Sequence, residues 1–215
     1  MLHRESRHLA TLTMLAATVL GAPRGAAARD VRSSTAVRDT AVFAGGCFWG
    51  VQAVFARVKG VTSSISGYAG GHTARPSYED VSTGASGYAE SVRVIYDTGV
   101  VSYSQLLAVF FAVAHDPTEL NYQGPDHGTQ YRSAIFFHDS GQQRTAAAFV
   151  AKLTQAKTYS RPIVTEIAAL GVFYPAEGYH QNFFDTHPDY PYIVINDKPK
   201  VEHLRKQFPA LYVSR

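Results

Sequence analysis

Along this chain the spacing of apolar residues changes period several times, and each change marks a structural element. Thr40 to Ala44 is a short apolar run ending in Gly45-Gly46, after which Phe48, Val51, Phe55 and Val58 recur at helical spacing. A strand handing over to a helix is predicted there. Val61 to Tyr68 and Ala89 to Tyr96 read as strands on either side of a loop containing Gly, Ser and Pro. Ser102 to Ala114 (SYSQLLAVFFAVA) predicts a helix with Ser102 as its N-cap, Ser133 to His138 a further strand, and Asp139 to Lys157 a further helix. The order β-α-β-β-α-β is the split βαβ arrangement of ferredoxin-like domains. The expected fold class is therefore α+β, a two-layer sandwich with a mixed, mostly antiparallel sheet and helices packed on one side. A strand near 163–169 and short helices near 176–184 and 198–207 are expected as C-terminal additions. The connections at 71–87 and 115–132 are long for a compact domain, which marks them as candidate functional loops.

The first part of the chain follows another pattern. Basic Arg4 and Arg7 precede an apolar run from Leu9 to Leu20, and the small residues Ala26-Ala27-Ala28 follow. That order predicts a secretory signal peptide at 1–28, cleaved after Ala28, because the apolar run is shorter than the roughly 20 residues a spanning helix needs. An exported, periplasmic protein is expected, with no membrane association after cleavage. Residues 29–39 are polar and aperiodic and read as a linker, leaving 40–215 as the folded domain.

Composition narrows the possibilities. With 215 residues, 46% hydrophobic and 17% charged, the chain can bury a sizeable core. A formal charge of +3, without a Lys/Arg block interleaved with aromatics, argues against a nucleic-acid partner. Monomer is the default expectation.

Export usually goes with paired cysteines, yet Cys47 is the one cysteine here, so it has no intramolecular disulfide partner. It is either a small apolar filler or a reactive thiol. Gly45-Gly46-Cys47 at a strand-to-helix turn would place helix N-terminal N–H groups beside the sulfur, which lowers a thiol pKa, and the glycines would leave the sulfur open. Phe48 and Trp49 follow directly; adjacent helical residues project about 100° apart, so at least one ring is expected to line a cleft. In the strand Ala89 to Tyr96, Glu90 shares parity with Val92, Val94 and Tyr96, which puts a carboxylate on the apolar face of the sheet. A Glu at a sheet edge reaching solvent satisfies the same parity. No His/Cys/Asp/Glu spacing matches a zinc site.

Gly46-Cys47-Phe48-Trp49-Gly50 resembles the signature of A-type peptide methionine sulfoxide reductases. Further segments similar to that family follow in order: Pro76 to Val81, Gly87 to Glu90, His115 to Thr118, Asp126 to Ser133 and Pro175 to Gln181. The resemblance implies catalytic roles for Cys47 as nucleophile and Glu90 as acid, with Tyr78 and Tyr131 as hydroxyl donors to the sulfoxide oxygen. It implies substrate contacts from Phe48, Trp49 and Asp126, and His180 reads as a structural or substrate-rim histidine. The activity implied is thiol-dependent reduction of methionine S-sulfoxide, in proteins and free, through a sulfenic acid on Cys47. No cofactor is implied, only an external thiol such as thioredoxin, glutaredoxin or dithiothreitol. Many relatives carry further cysteines in the C-terminal tail; here the tail from His187 to Arg215 has none, so a one-cysteine cycle is expected. Tyr88 stands where many relatives have histidine. Two other readings are a cysteine acyl transferase or protease, using His115, His127 or His180 as base, and a sulfoxide-binding module without turnover.

Overall fold

The computed structural model describes residues 37–215, so the expected signal peptide and linker residues 29–36 lie outside the described residues. Strand β1 already begins at Arg38 (Arg38–Gly45), where Arg38 pairs with Asp97 and Asp39 with Tyr96. Those two residues therefore belong to the sheet and not to the linker.

The remaining elements follow as helix α1 (Phe48–Ala56), β2 (Val61–Ala69), α2 (Tyr78–Ser82), β3 (Ala89–Asp97) and α3 (Tyr103–Val109), which continues as a π-type turn over Phe110–Ala114. A small ribbon of β4 (Tyr122–Gln123) and β5 (Asp126–His127) and a 3-10 turn (Thr129–Tyr131) lead into β6 (Ser133–Phe137) and α4 (Ser140–Gln155). Strands β7 (Glu166–Ala169) and β8 (Tyr174–Pro175), a 3-10 turn (Gly178–His180), α5 (Phe183–Thr186), a second π-type turn (Ile193–Asp197) and α6 (Lys198–Gln207) complete the chain.

The sheet order is β7-β6-β1-β3-β2-β8. Its four central strands have the antiparallel arrangement expected of a split βαβ domain, and β7 adds to β6 in parallel, which makes the sheet mixed. Local chemistry sets the helix starts. Ser77 with Asp80 and Ser102 with Gln105 form capping boxes, and Asp139 accepts from the N–H of Gln142 at 2.8 Å.

Period-two alternation divides the sheet between two apolar layers. Ala41, Phe43, Val92 and Val94 join α1, α3 and Ile135 in the main core, whereas Val42, Ala44, Ala89 and Phe136 pack on the other face against Ala168, Leu170 and Phe173. Within the main core Phe43 stacks between Phe55 and Phe110, at 4.9 Å from each ring centroid, and Phe110 stacks on His115 at 4.1 Å. Aromatic pairs of this kind contribute about 0.5–1.5 kcal/mol each beyond burial. The stack ties β1, the last turn of α1 and the π-type turn into one block. Helix α6 packs on α1, and the last residues pair with the segment that follows α1 through Lys59 N–H to Leu211 O (2.7 Å) and Val213 N–H to Arg57 O (2.9 Å).

Candidate active site

The turn between β1 and α1 is built for close approach. Gly46 has φ +84°, and a Cβ there would lie 2.6 Å from Cβ of Gln123. Gln123 itself is fixed by two hydrogen bonds to the Asp116 backbone, accepting from its N–H (3.0 Å) and donating to its carbonyl (2.7 Å). The left-handed turn places Cys47 at the N-cap of α1. The residue is 8% exposed. This enclosure overturns the expectation of an open, low-pKa thiol: burial pushes the Cys47 thiol well above its usual range, with the carboxylates of Glu90 and Asp197 adding to the rise. The N–H of Trp49 and the ammonium of Lys200 pull the other way, but they do not outweigh the loss of solvent.

Glu90 lies on the helix-side face of β3, as its parity with Val92 and Val94 requires, and is 3% exposed. Its Oε2 accepts the backbone N–H of Phe48, the residue after Cys47, at 3.0 Å. Burial raises its carboxyl to about 8; the Phe48 N–H opposes the shift, and Asp126 and Asp197 reinforce it. At neutral pH both Cys47 and Glu90 are thus neutral, proton-bearing groups. Tyr78, the first residue of α2, and Tyr131, at the end of the 3-10 turn, are half-buried, and burial together with the Glu90 charge raises both phenols. Cys47 also contributes to each shift, so these hydroxyls, the carboxyl and the thiol form one electrostatic cluster of hydrogen-bond donors.

The aromatic side of the site differs from the pair read in sequence. Phe48 is 1% exposed and sits in the core, 5.0 Å from the His180 ring and 6.0 Å from Tyr68. Trp49 is the half-buried ring, stacked on Phe183 at 3.9 Å and edge-on to Tyr190 and Tyr192 at 6.2 and 5.9 Å. Its indole N–H donates to Nδ1 of His180 at 3.2 Å, which requires the neutral imidazole with its proton on Nε2. His180 is 2% exposed and lies 4.5 Å from the Tyr78 ring, so it orients two walls of the site. Glu177 fixes the same corner, accepting from the Tyr78 N–H (2.9 Å) and the Tyr68 hydroxyl (2.7 Å).

Asp126, in β5, accepts a hydrogen bond from the Tyr192 hydroxyl. Burial raises its carboxyl, while Tyr192, Lys200 and His127 lower it. Tyr192, Asp197 and Lys200 all come from the tail; they lie in no motif and reach the site through the packing of the second π-type turn and α6 on α1. Gly50 makes that approach possible: a Cβ there would meet Oδ1 of Asp197 at 2.1 Å. Cys47 lies in the wall of a cleft of about 380 Å³, to which Gln123, Asp126, Tyr192, Asn196 and Lys200 contribute.

Among the described residues, none of His115, His127 and His180 forms a nucleophile-base pair with Cys47. His115 is engaged at both nitrogens, by Phe110 O (3.0 Å) and Ser133 Oγ (2.6 Å), and burial lowers it to about 4. His180 is committed to Trp49, and His127 stacks on Tyr122. Among the described residues no group of three or more His, Cys, Asp or Glu could hold a metal ion.

Residues 39–211 match the family described as peptide methionine sulfoxide reductase. The chain is 56% identical over 174 residues to the peptide methionine sulfoxide reductase MsrA 2 of Mesorhizobium japonicum, covering 81% of this chain and 89% of that protein. It is 49% identical to the MsrA of Natronomonas pharaonis, covering 82% of this chain and 98% of that one. Among solved structures, reduced Mxr1 of Saccharomyces cerevisiae superposes with TM-score 0.66 at 31% identity, over 75% of this chain and 92% of that one. Methionine sulfoxide reductase A of Corynebacterium diphtheriae does so with TM-score 0.63 at 34% identity, over 74% and 78%.

Proposed function

Because this chain belongs to the peptide methionine sulfoxide reductase family, we propose that it reduces the S epimer of methionine sulfoxide, free or in proteins, to methionine, with Cys47 as nucleophile and Glu90 as acid. One observation carries the assignment of roles: the buried, proton-bearing carboxyl of Glu90 is held by the N–H of Phe48, so acid and thiol share one helix N-terminus.

The Cys47 sulfur attacks the sulfoxide sulfur while Glu90 gives its proton to the sulfoxide oxygen. The carboxylate then takes up the proton that the thiol loses, so Glu90 ends the step as it began. As the sulfur–sulfur bond formed in the attack and the S–O bond of the substrate break, the oxygen passes with its proton to Cys47, which is left as sulfenic acid, and methionine departs with its sulfur reduced by the two electrons that Cys47 has given up. A proton shuttle suits two groups that are both neutral at rest, and it removes the need for a preformed thiolate. Tyr78 and Tyr131, kept protonated by burial, donate to the oxygen as negative charge develops there.

The substrate methyl rests on Trp49, where sulfur-to-aromatic contact adds about 0.3–1.5 kcal/mol. Asp126 borders the carbon chain of the substrate. The opposite epimer would put its methyl among the hydroxyl donors and its oxygen against the indole, leaving polar groups unpaired on both sides. Phe48 supports this wall from within the core, and His180 fixes the indole.

With one cysteine in the chain, the sulfenic acid returns to thiol through an external thiol reductant. Mass spectrometry after one turnover without reductant should find one added oxygen on Cys47; a disulfide-linked dimer as the main product would contradict the one-cysteine cycle. The N-terminal pattern supports a periplasmic site of action, which N-terminal sequencing of the mature protein would refute by finding Met1.

A further inference from the structure

The cleft beside Cys47 is a candidate route to the sulfur. Its walls come from the β4–β5 ribbon (Gln123, Gly124, Pro125, Asp126) and from the tail (Tyr192, Asn196, Lys200), with His203 on the same tail side. Trp49, Tyr78, Glu90 and Tyr131, which make the sulfoxide side of the site, contribute nothing to these walls. Asp126 and Tyr192, hydrogen-bonded to each other, also line the cleft, on the side where it meets Cys47.

We propose that this cleft admits the reductant, a small thiol bearing a carboxylate, which reaches Cys47 without crossing the sulfoxide subsite. The inference rests on the reductase reading above and deepens it by naming the second reactant and its entrance. Three features support it. Cys47 is 8% exposed and sits in the wall of a cleft, so a slender molecule reaches the sulfur where a broad protein surface is held off. A space of about 380 Å³ falls in the lower part of the range typical of small-ligand pockets. Lys200, whose ammonium also pairs with Asp197 at 3.2 Å, and His203 lie on the tail side, and Asp116 and Glu119 on the segment after the first π-type turn, a placement of donors and acceptors that suits a molecule bearing both an ammonium and a carboxylate.

The chemistry closes with two equivalents of thiol. The first attacks the sulfenic sulfur of Cys47, forming a mixed disulfide as the S–O bond breaks and the oxygen leaves as water with a proton from each partner. A second thiol attacks the sulfur of the first, releasing the small disulfide and restoring the Cys47 thiol. The two thiols together supply the two electrons that the sulfoxide consumed.

The two half-reactions can be read separately. In the full-length enzyme, Asn196→Trp and His203→Trp narrow the cleft from the tail side and leave Trp49, Tyr78, Glu90 and Tyr131, which lie outside its walls, in place. Methionine release in a reductant-free first turnover should match wild type. Reduction of the isolated sulfenic form by glutathione should fall at least tenfold, with a smaller fall for uncharged 2-mercaptoethanol. Unchanged glutathione kinetics in both variants would overturn the proposal, as would equal losses in the two half-reactions, or a wild-type sulfenic form that thioredoxin reduces and glutathione does not. Absence of any first turnover in wild type would instead refute the reductase reading on which the proposal stands.

Discussion

Glu90→Gln should separate the stability of this fold from its chemistry. The folded carboxyl titrates at about 8 against 4.5 for an unperturbed glutamate, because β3 carries it into the core. The folded state therefore holds its proton more tightly than the unfolded state does. The contribution of Glu90 to stability is fully present below 4.5 and is lost as pH rises to about 8. At about 1.4 kcal/mol per pH unit, the gap of 8 − 4.5 = 3.5 amounts to about 5 kcal/mol. Glutamine keeps an oxygen for the Phe48 N–H but does not ionise, so its stability relative to wild type should improve with pH by up to that amount. Urea unfolding of both proteins at about pH 4, 6, 8 and 9 gives the difference directly, and a constant offset for the extra amide donor does not affect its slope. Activity should move the opposite way, with kcat/KM falling by about 10²- to 10⁴-fold as expected for loss of a general acid. Wild-type activity should itself decline as pH passes about 8 and the carboxyl ionises. A stability difference that does not vary with pH would refute the claim that Glu90 is a buried, proton-bearing acid.

Other perturbations test the supports of the site. Gly46→Ala forces a left-handed residue and sets a Cβ 2.6 Å from Gln123; it should cost about 1–2 kcal/mol for the backbone alone, with the clash added, and the denaturation midpoint should drop accordingly. Tyr192→Phe removes the donor to Asp126 and should lower unfolding free energy by about 1.5–3 kcal/mol with an unchanged m-value. Trp49 is the one tryptophan, so its emission reports its contact with His180. Burial lowers the His180 pKa, so the imidazole takes up a second proton only as pH falls below 6.5; Nδ1 then ceases to accept. Emission should change in that acid range in wild type and not in His180→Asn.

The four central strands were legible because each pairs an apolar face with a second apolar layer or a turn signal at its end. Ser102 announced its helix through capping chemistry, and parity with Val92 and Val94 put Glu90 on the apolar face of its strand. The thiol was misjudged for a reason that sequence does not carry: the helix N-terminus is where expected, but the tail and the β4–β5 loop enclose it, and loss of solvent outweighs the Trp49 N–H. The aromatic wall was half legible. Phe48 and Trp49 were evident as a pair, but which ring faces outward depends on Phe183, Tyr190 and Tyr192, about 140 residues away in sequence. Asp197 and Lys200 were invisible in the same way, since they reach Cys47 only because Gly50 lets the tail settle on α1.

The most direct test of the central claim supplies dithiothreitol and both sulfur epimers of a blocked methionine sulfoxide, and follows each epimer by chiral chromatography beside a Cys47→Ser control. Consumption of the S epimer alone, abolished in the control, is the predicted result. Consumption of neither epimer, or turnover that survives Cys47→Ser, would contradict it.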